Sequence, residues 1–142
     1  MRAFNNGSQY KVQETKPMKI LYMPLKKQWF EMIERGEKTE EYREIKPYYI
    51  PRFFEDRLSR ETIAGPLLDE FISDLRDSGN VEQTADDFGL WLKDYDAVCF
   101  SYGYTKRRMT FECKGITIGH GRPEWGAPNH ETFIIELGKR LQ

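Results

Sequence analysis

Apolar residues in this chain fall into short runs whose spacing changes from one segment to the next. Residues 19–23, Lys-Ile-Leu-Tyr-Met, form a compact run that predicts a short buried strand. Pro24 is expected to end its ladder and to open a helix. From there Leu25, Trp29 and Ile33 recur four apart, Phe30 and Met32 broaden the stripe, and Gly36 stops it, which predicts a helix of three turns. Residues 38–45 are expected to be extended, with Thr39, Glu41 and Arg43 on one face and Glu40 and Tyr42 on the other. Residues 46–52 are too proline-broken for regular structure, yet carry Tyr48 and Tyr49.

Helical spacing returns at Leu67, Leu68, Phe71, Ile72 and Leu75, with Pro66 in the first turn and Ser78-Gly79-Asn80 as the stop. Thr84-Ala85-Asp86-Asp87 resembles a capping start for a second short helix carrying Phe88, Trp91 and Leu92. Strand patterns follow at 97–102, at 109–113, at Ile116 and Ile118 beyond Gly115 as if across a bulge, and at 132–137. This order predicts an α+β fold: a small, mostly antiparallel barrel with peripheral helices and one helical insertion at about 55–94.

Composition narrows the class. The 142 residues are 39% hydrophobic and 14% aromatic, enough for the core of one domain without crosslinks. No apolar run reaches the roughly 20 residues of a spanning helix, and the N-terminus has no signal-like apolar stretch. A soluble, cytoplasmic protein with no membrane partner is expected, its domain at 18–142 behind a flexible leader at 1–17. Two cysteines, Cys99 and Cys113, are too few for a disulfide scaffold. They suit free thiols, or a pair across a hairpin centred near Lys106. His120 and His130 lack ligand spacing, so neither a metal nor a cofactor is expected. The net charge of −1 conceals an asymmetry: residues 55–94 hold 4 Lys+Arg against 11 Asp+Glu, and both flanks are basic. Local field, which steers an anionic ligand, therefore favours the body over the insertion.

The candidate chemistry begins at Gly36-Glu37-Lys38-Thr39-Glu40-Glu41-Tyr42-Arg43, which fits G-x-K-x-x-E-x-R at all four fixed positions. It follows a Trp-Phe helix and precedes Lys46-Pro47-Tyr48-Tyr49 and Arg52. Further on come Phe100-Ser101-Tyr102-Gly103-Tyr104, then the stretch from Gly119 to Gly126 that includes Trp125, then Phe133-Ile134-Ile135-Glu136-Leu137-Gly138. Together these resemble the ASCH (activating-signal-cointegrator homology) family over roughly 18–54 and 95–140. The resemblance implies a PUA-like β-barrel and a cleft lined by the Lys, Glu and Arg of the motif. Its implied partners are RNA, another single-stranded nucleic acid or a nucleotide-like small molecule.

The residue types point the same way. Arg43 offers a planar fork for phosphate or a base edge, and Lys38 a compact charge. Glu41 can orient the guanidinium or move a proton. Tyr48, Tyr49, Tyr102, Tyr104 and Trp125 offer stacking faces, and Arg52 a further cation. Lys106-Arg107-Arg108 suits a backbone-tracking loop, but suits a solvated turn better. Glu41 and Arg43 equally suit a plain ion pair on a strand. Trp29 and Phe30 read as core. Trp125 divides evenly between capping the barrel and lining a site. One branch of the resembling family removes acyl groups from modified cytidine with a catalytic Lys and Thr. Lys38 matches the Lys, whereas Glu41 stands at the Thr position, where a carboxylate suits a general base rather than a nucleophile. A nucleic-acid-binding domain is thus the first expectation, and a hydrolase using Lys38 and Glu41 the alternative.

Overall fold

A computed structural model describes residues 17–57 and 63–142; the leader expected at 1–17 lies, but for Pro17, outside them. Five strands form one mixed sheet: β1 (Ile20–Leu25), β2 (Glu40–Arg43), β5 (Ala97–Tyr102), β6 (Arg108–Gly119) and β7 (Thr132–Arg140). Their order in space is β1-β5-β6-β7-β2. The β1–β5 ladder is parallel; β5–β6, β6–β7 and β7–β2 are antiparallel. The sheet curls into a half-barrel. Its two edges are therefore the first two strands of the chain, joined in sequence by helix α1 (Lys27–Glu34).

Pro24 overturns one expectation, because it lies inside β1, paired with Ser101, rather than ending the strand. The edge position explains the tolerance. Carbonyls of Lys19 and Leu25 accept hydrogen bonds from the β5 side, so by alternation Pro24 turns its missing donor outward. Leu25 belongs to β1, and α1 has 8 residues, about two turns, with Phe30 and Ile33 buried. Gly36 closes it in the left-handed conformation, φ 82°. In β6 the ladder with β7 shifts register between Phe111 and Gly115, which is the bulge the alternation implied.

The core joins residues of the sheet to those of α1 and of the segments 45–54 and 71–90. Phe133 lies 4.9 Å, centroid to centroid, from Phe53 and 6.1 Å from Phe54, and Phe71 lies 5.0 Å from Phe54. Each such fully buried aromatic contributes roughly 1.5–3 kcal/mol. The proline-broken segment 46–52 is more regular than expected. A 3₁₀ turn, Pro47–Tyr49, runs into α2 (Ile50–Phe53), each with a proline in its first turn, where a missing N–H costs nothing.

The insertion contains α3 (Pro66–Ser78) and α4 (Val81–Asp87), bracketed by a two-stranded ribbon of β3 (Phe54–Asp56) and β4 (Leu90–Leu92). α3 has the spacing read from sequence, but α4 starts earlier than Thr84. Asn80 caps it, accepting from the Gln83 N–H at 3.0 Å. Thr84 is buried inside it, with its hydroxyl 2.7 Å from that of Ser78. Trp91 and Leu92 are strand residues because β3 supplies them a partner. Cys99 pairs with Thr110, not Cys113, and both cysteines are free. Among the described residues no helix is long and apolar enough to cross a membrane.

Candidate functional site

The two edges of the sheet meet through arginine side chains. Arg43 on β2 donates to the carbonyl of Pro24 on β1 at 2.9 Å, and Arg52 from α2 donates to that of Tyr22 at 2.6 Å. These are the carbonyls that β5 leaves unpaired, so the guanidinium groups satisfy an edge that would otherwise be orphaned. A cleft of about 590 Å³ opens along this seam. Tyr22, Trp29, Tyr42, Tyr48, Tyr49, Tyr104 and Trp125 supply its aromatic surface, and Lys26, Lys46, Arg43 and Arg52 its cations, against the one carboxylate, Glu41, among the described residues.

Beneath the cleft the motif forms one chain of charges. Glu41 receives the Lys38 ammonium at 3.1 Å on Oε1 and the Arg43 guanidinium on Oε2. Lys38 also donates to the carbonyl of Trp125 at 2.6 Å, and its Nζ lies 4.5 Å from the centre of the Tyr42 ring and 5.3 Å from that of Trp29. Only 1% of Lys38 is exposed. Burial pulls its pKa below the ordinary lysine value, against the opposing pull of the Glu41 charge. Arg43 further donates to the Tyr42 carbonyl at 2.9 Å, so most of its fork is engaged within the protein. The expected faces of this strand are present, with Glu41 and Arg43 paired on one and Tyr42 hydrogen-bonded to Glu40 at 2.8 Å on the other. Burial raises the Tyr42 pKa above that of a free phenol.

The loop between β6 and β7 packs closely against the site. A Cβ on Gly121 would stand 2.3 Å from the Tyr42 ring, and one on Gly126, at φ 96°, 2.7 Å from the Trp29 ring. Glycine at these two positions lets the loop descend far enough for Trp125 to reach Lys38 with its carbonyl. The Trp125 ring carries the Arg122 guanidinium 4.6 Å from its centre and lines the cleft.

Of the residues singled out in the sequence, Glu41, Arg43, Tyr48, Arg52, Tyr104 and Trp125 line the cleft together. Lys38 lies under them rather than in the wall. Tyr102 stands apart, packed edge-on against Phe30 with centroids 5.2 Å apart and an interplanar angle of 77°. Thr39 is exposed outside the cleft. Trp29, which its helical spacing suggested was core, is half-buried and forms part of the cleft wall, as do Tyr22, Lys26 and Lys46. The overlooked signal was Pro24: once it lies in an edge strand, α1 begins at Lys27 and Trp29 moves to the border of its buried stripe.

None of the described residues of 55–94 lines the cleft. Among the described residues no group of three or more His, Cys, Asp or Glu could hold a metal ion. Comparisons of the chain with protein families, with curated proteins and with solved structures give no match.

Proposed function

We propose that the seam cleft binds a nucleotide or single-stranded nucleic acid, RNA foremost, as the ASCH resemblance implies. The observation that carries this reading is the composition of the cleft: among the described residues, seven aromatic side chains and four cations surround one carboxylate already matched by Lys38 and Arg43. Aromatic faces take up bases at roughly 1–3 kcal/mol each, and the surplus positive charge suits phosphate. A cationic ligand would meet four like charges. With Lys38 buried and Arg43 engaged on the protein, Lys26, Lys46 and Arg52 are the groups suited to phosphate. Glu41, with the remaining N–H groups of Arg43, is suited to a base edge.

Anisotropy titration of a fluorescein-labelled RNA hexamer, with mononucleotides as competitors, tests the reading. Saturable binding is expected, weakened about tenfold by Tyr48→Ala; Tyr48 is 62% exposed and lies outside the buried core. No binding of the hexamer, its DNA counterpart or any mononucleotide at millimolar concentration would overturn it.

A second reading, hydrolysis of a modified nucleoside such as an acylcytidine or of RNA, draws on the desolvation of Lys38. A lysine of lowered pKa can hold and return a proton, and Glu41, which reaches the cleft, would activate the water that attacks an acyl carbon. Incubation with acylated cytidines followed by LC–MS should then yield free cytidine, lost in Glu41→Gln. No product from any of them would leave binding alone.

A further inference from the structure

The hairpin between β5 and β6 carries features that the cleft does not use up. Tyr104 lies on its tip, lines the mouth of the cleft and is 98% exposed, so its ring supports no core. Two residues on, Lys106 is exposed, and so is Arg108, whose guanidinium donates to the main-chain carbonyls of Thr105 and Arg107. Both acceptors are neutral carbonyls, and among the described residues no carboxylate pairs with Arg108. Arg107 between them has a different task. It is bound to Glu34 of α1 at 2.6 Å and lies over the rings of Phe30 and Tyr102, which fixes the hairpin against the helix. One cation thus anchors the tip while its two neighbours face solvent, next to a bare aromatic ring at the cleft mouth. A solvated turn explains the charges but not the ring beside them.

Building on the nucleic-acid reading of the cleft, we propose that cleft and hairpin form one track for single-stranded nucleic acid. One nucleotide occupies the cleft, the next stacks on Tyr104, and its phosphates run along Lys106 and Arg108. The preferred ligand is then an oligonucleotide, not a free mononucleotide, because the second base and its phosphates add contacts that a mononucleotide cannot make.

The test compares the full chain with Lys106→Glu/Arg108→Glu and with Tyr104→Ala, each checked for an unchanged thermal midpoint. Probes are labelled RNA and DNA hexamers and the four ribonucleoside monophosphates as competitors. The hexamer should bind at least about tenfold more tightly than any monophosphate. The double variant should lose that margin, with its salt slope reduced by about 1.4 at roughly 0.7 per phosphate contact, and should still bind monophosphates. Tyr104→Ala should weaken the hexamer about tenfold. Equal affinity for hexamer and monophosphate, or a hexamer affinity untouched by the charge reversal, overturns the track while the cleft remains a nucleotide site. If neither class of probe binds, the track and the cleft reading fall together.

Discussion

Lys38 is the residue on which the site is organised. Removing an ammonium from water is costly, and Glu41, the Trp125 carbonyl and two aromatic faces return that cost only because they converge on one point. Lys38→Met should destabilise the protein by about 3 kcal/mol in urea unfolding, at the low end for a broken buried pair because Arg43 still faces Glu41. The alkaline pH dependence carries a second signature. Burial holds Lys38 below its ordinary 10.5 in the folded state, so between that lowered value and 10.5 the unfolded chain binds more protons and stability rises with pH. Tyr42 acts oppositely: above about pH 10 the unfolded phenol has lost a proton that the folded one keeps, and stability falls. Tyr95 and Cys113, whose pKa values burial raises, pull the same way as Tyr42. In a Tyr42→Phe background, the urea midpoint of the protein that keeps Lys38 should therefore rise, relative to that of the Tyr42→Phe/Lys38→Met protein, through the alkaline range.

At the scale of elements, the connections are held by single residues whose conformations can be tested. Gly79, in the left-handed conformation at φ 64°, ends one helix, and Asn80 starts the next. Asn80→Ala should cost about 1 kcal/mol of stability. Gly126→Ala should cost about 1–2 kcal/mol from its positive φ. It should also push the Trp29 ring aside, lowering nucleotide affinity, as a titration against the parent would measure. Periodic elements were legible before the fold was known: the stripe of α3, the alternation and bulge of β6, the extended motif strand. Pro24, α4 and segment 46–53 were not, for a common reason. Each is decided by a partner distant in sequence or by a cap one residue away, as with the edge position that tolerates Pro24 and the Asn80 side chain that moves the start of α4 ahead of Thr84.

For the whole molecule, function follows from how the sheet closes. β1 and β2 are neighbours in sequence and opposite edges in space, and Arg43 and Arg52 join the seam by bonding to carbonyls that no strand pairs. That geometry gathers Tyr22, Trp29, Lys46, Arg52, Tyr104 and Trp125 from five separate stretches of chain around the motif. Glu41 and Arg43 could be read from spacing, because a strand sets them on one face, whereas Lys38 lies outside β2 and was legible only through the motif. Trp29 and Lys46 could be read from neither, since only closure of the seam assigns them to a wall. Closure also accounts for the acidic insertion, which packs Phe71 on the core, away from the cleft, and so leaves the basic field at the seam.

The three tryptophans offer the most direct test of the central claim. Trp29 and Trp125 line the cleft, whereas Trp91 lies in β4, paired with Glu55 in the other sheet. In a ¹H–¹⁵N NMR titration of the full chain with ribonucleoside monophosphates and the RNA hexamer, the Trp29 and Trp125 indole signals should shift saturably. The Trp91 signal should stay in place. Unmoved Trp29 and Trp125 signals, or a shift confined to Trp91, would contradict a nucleotide site at the seam.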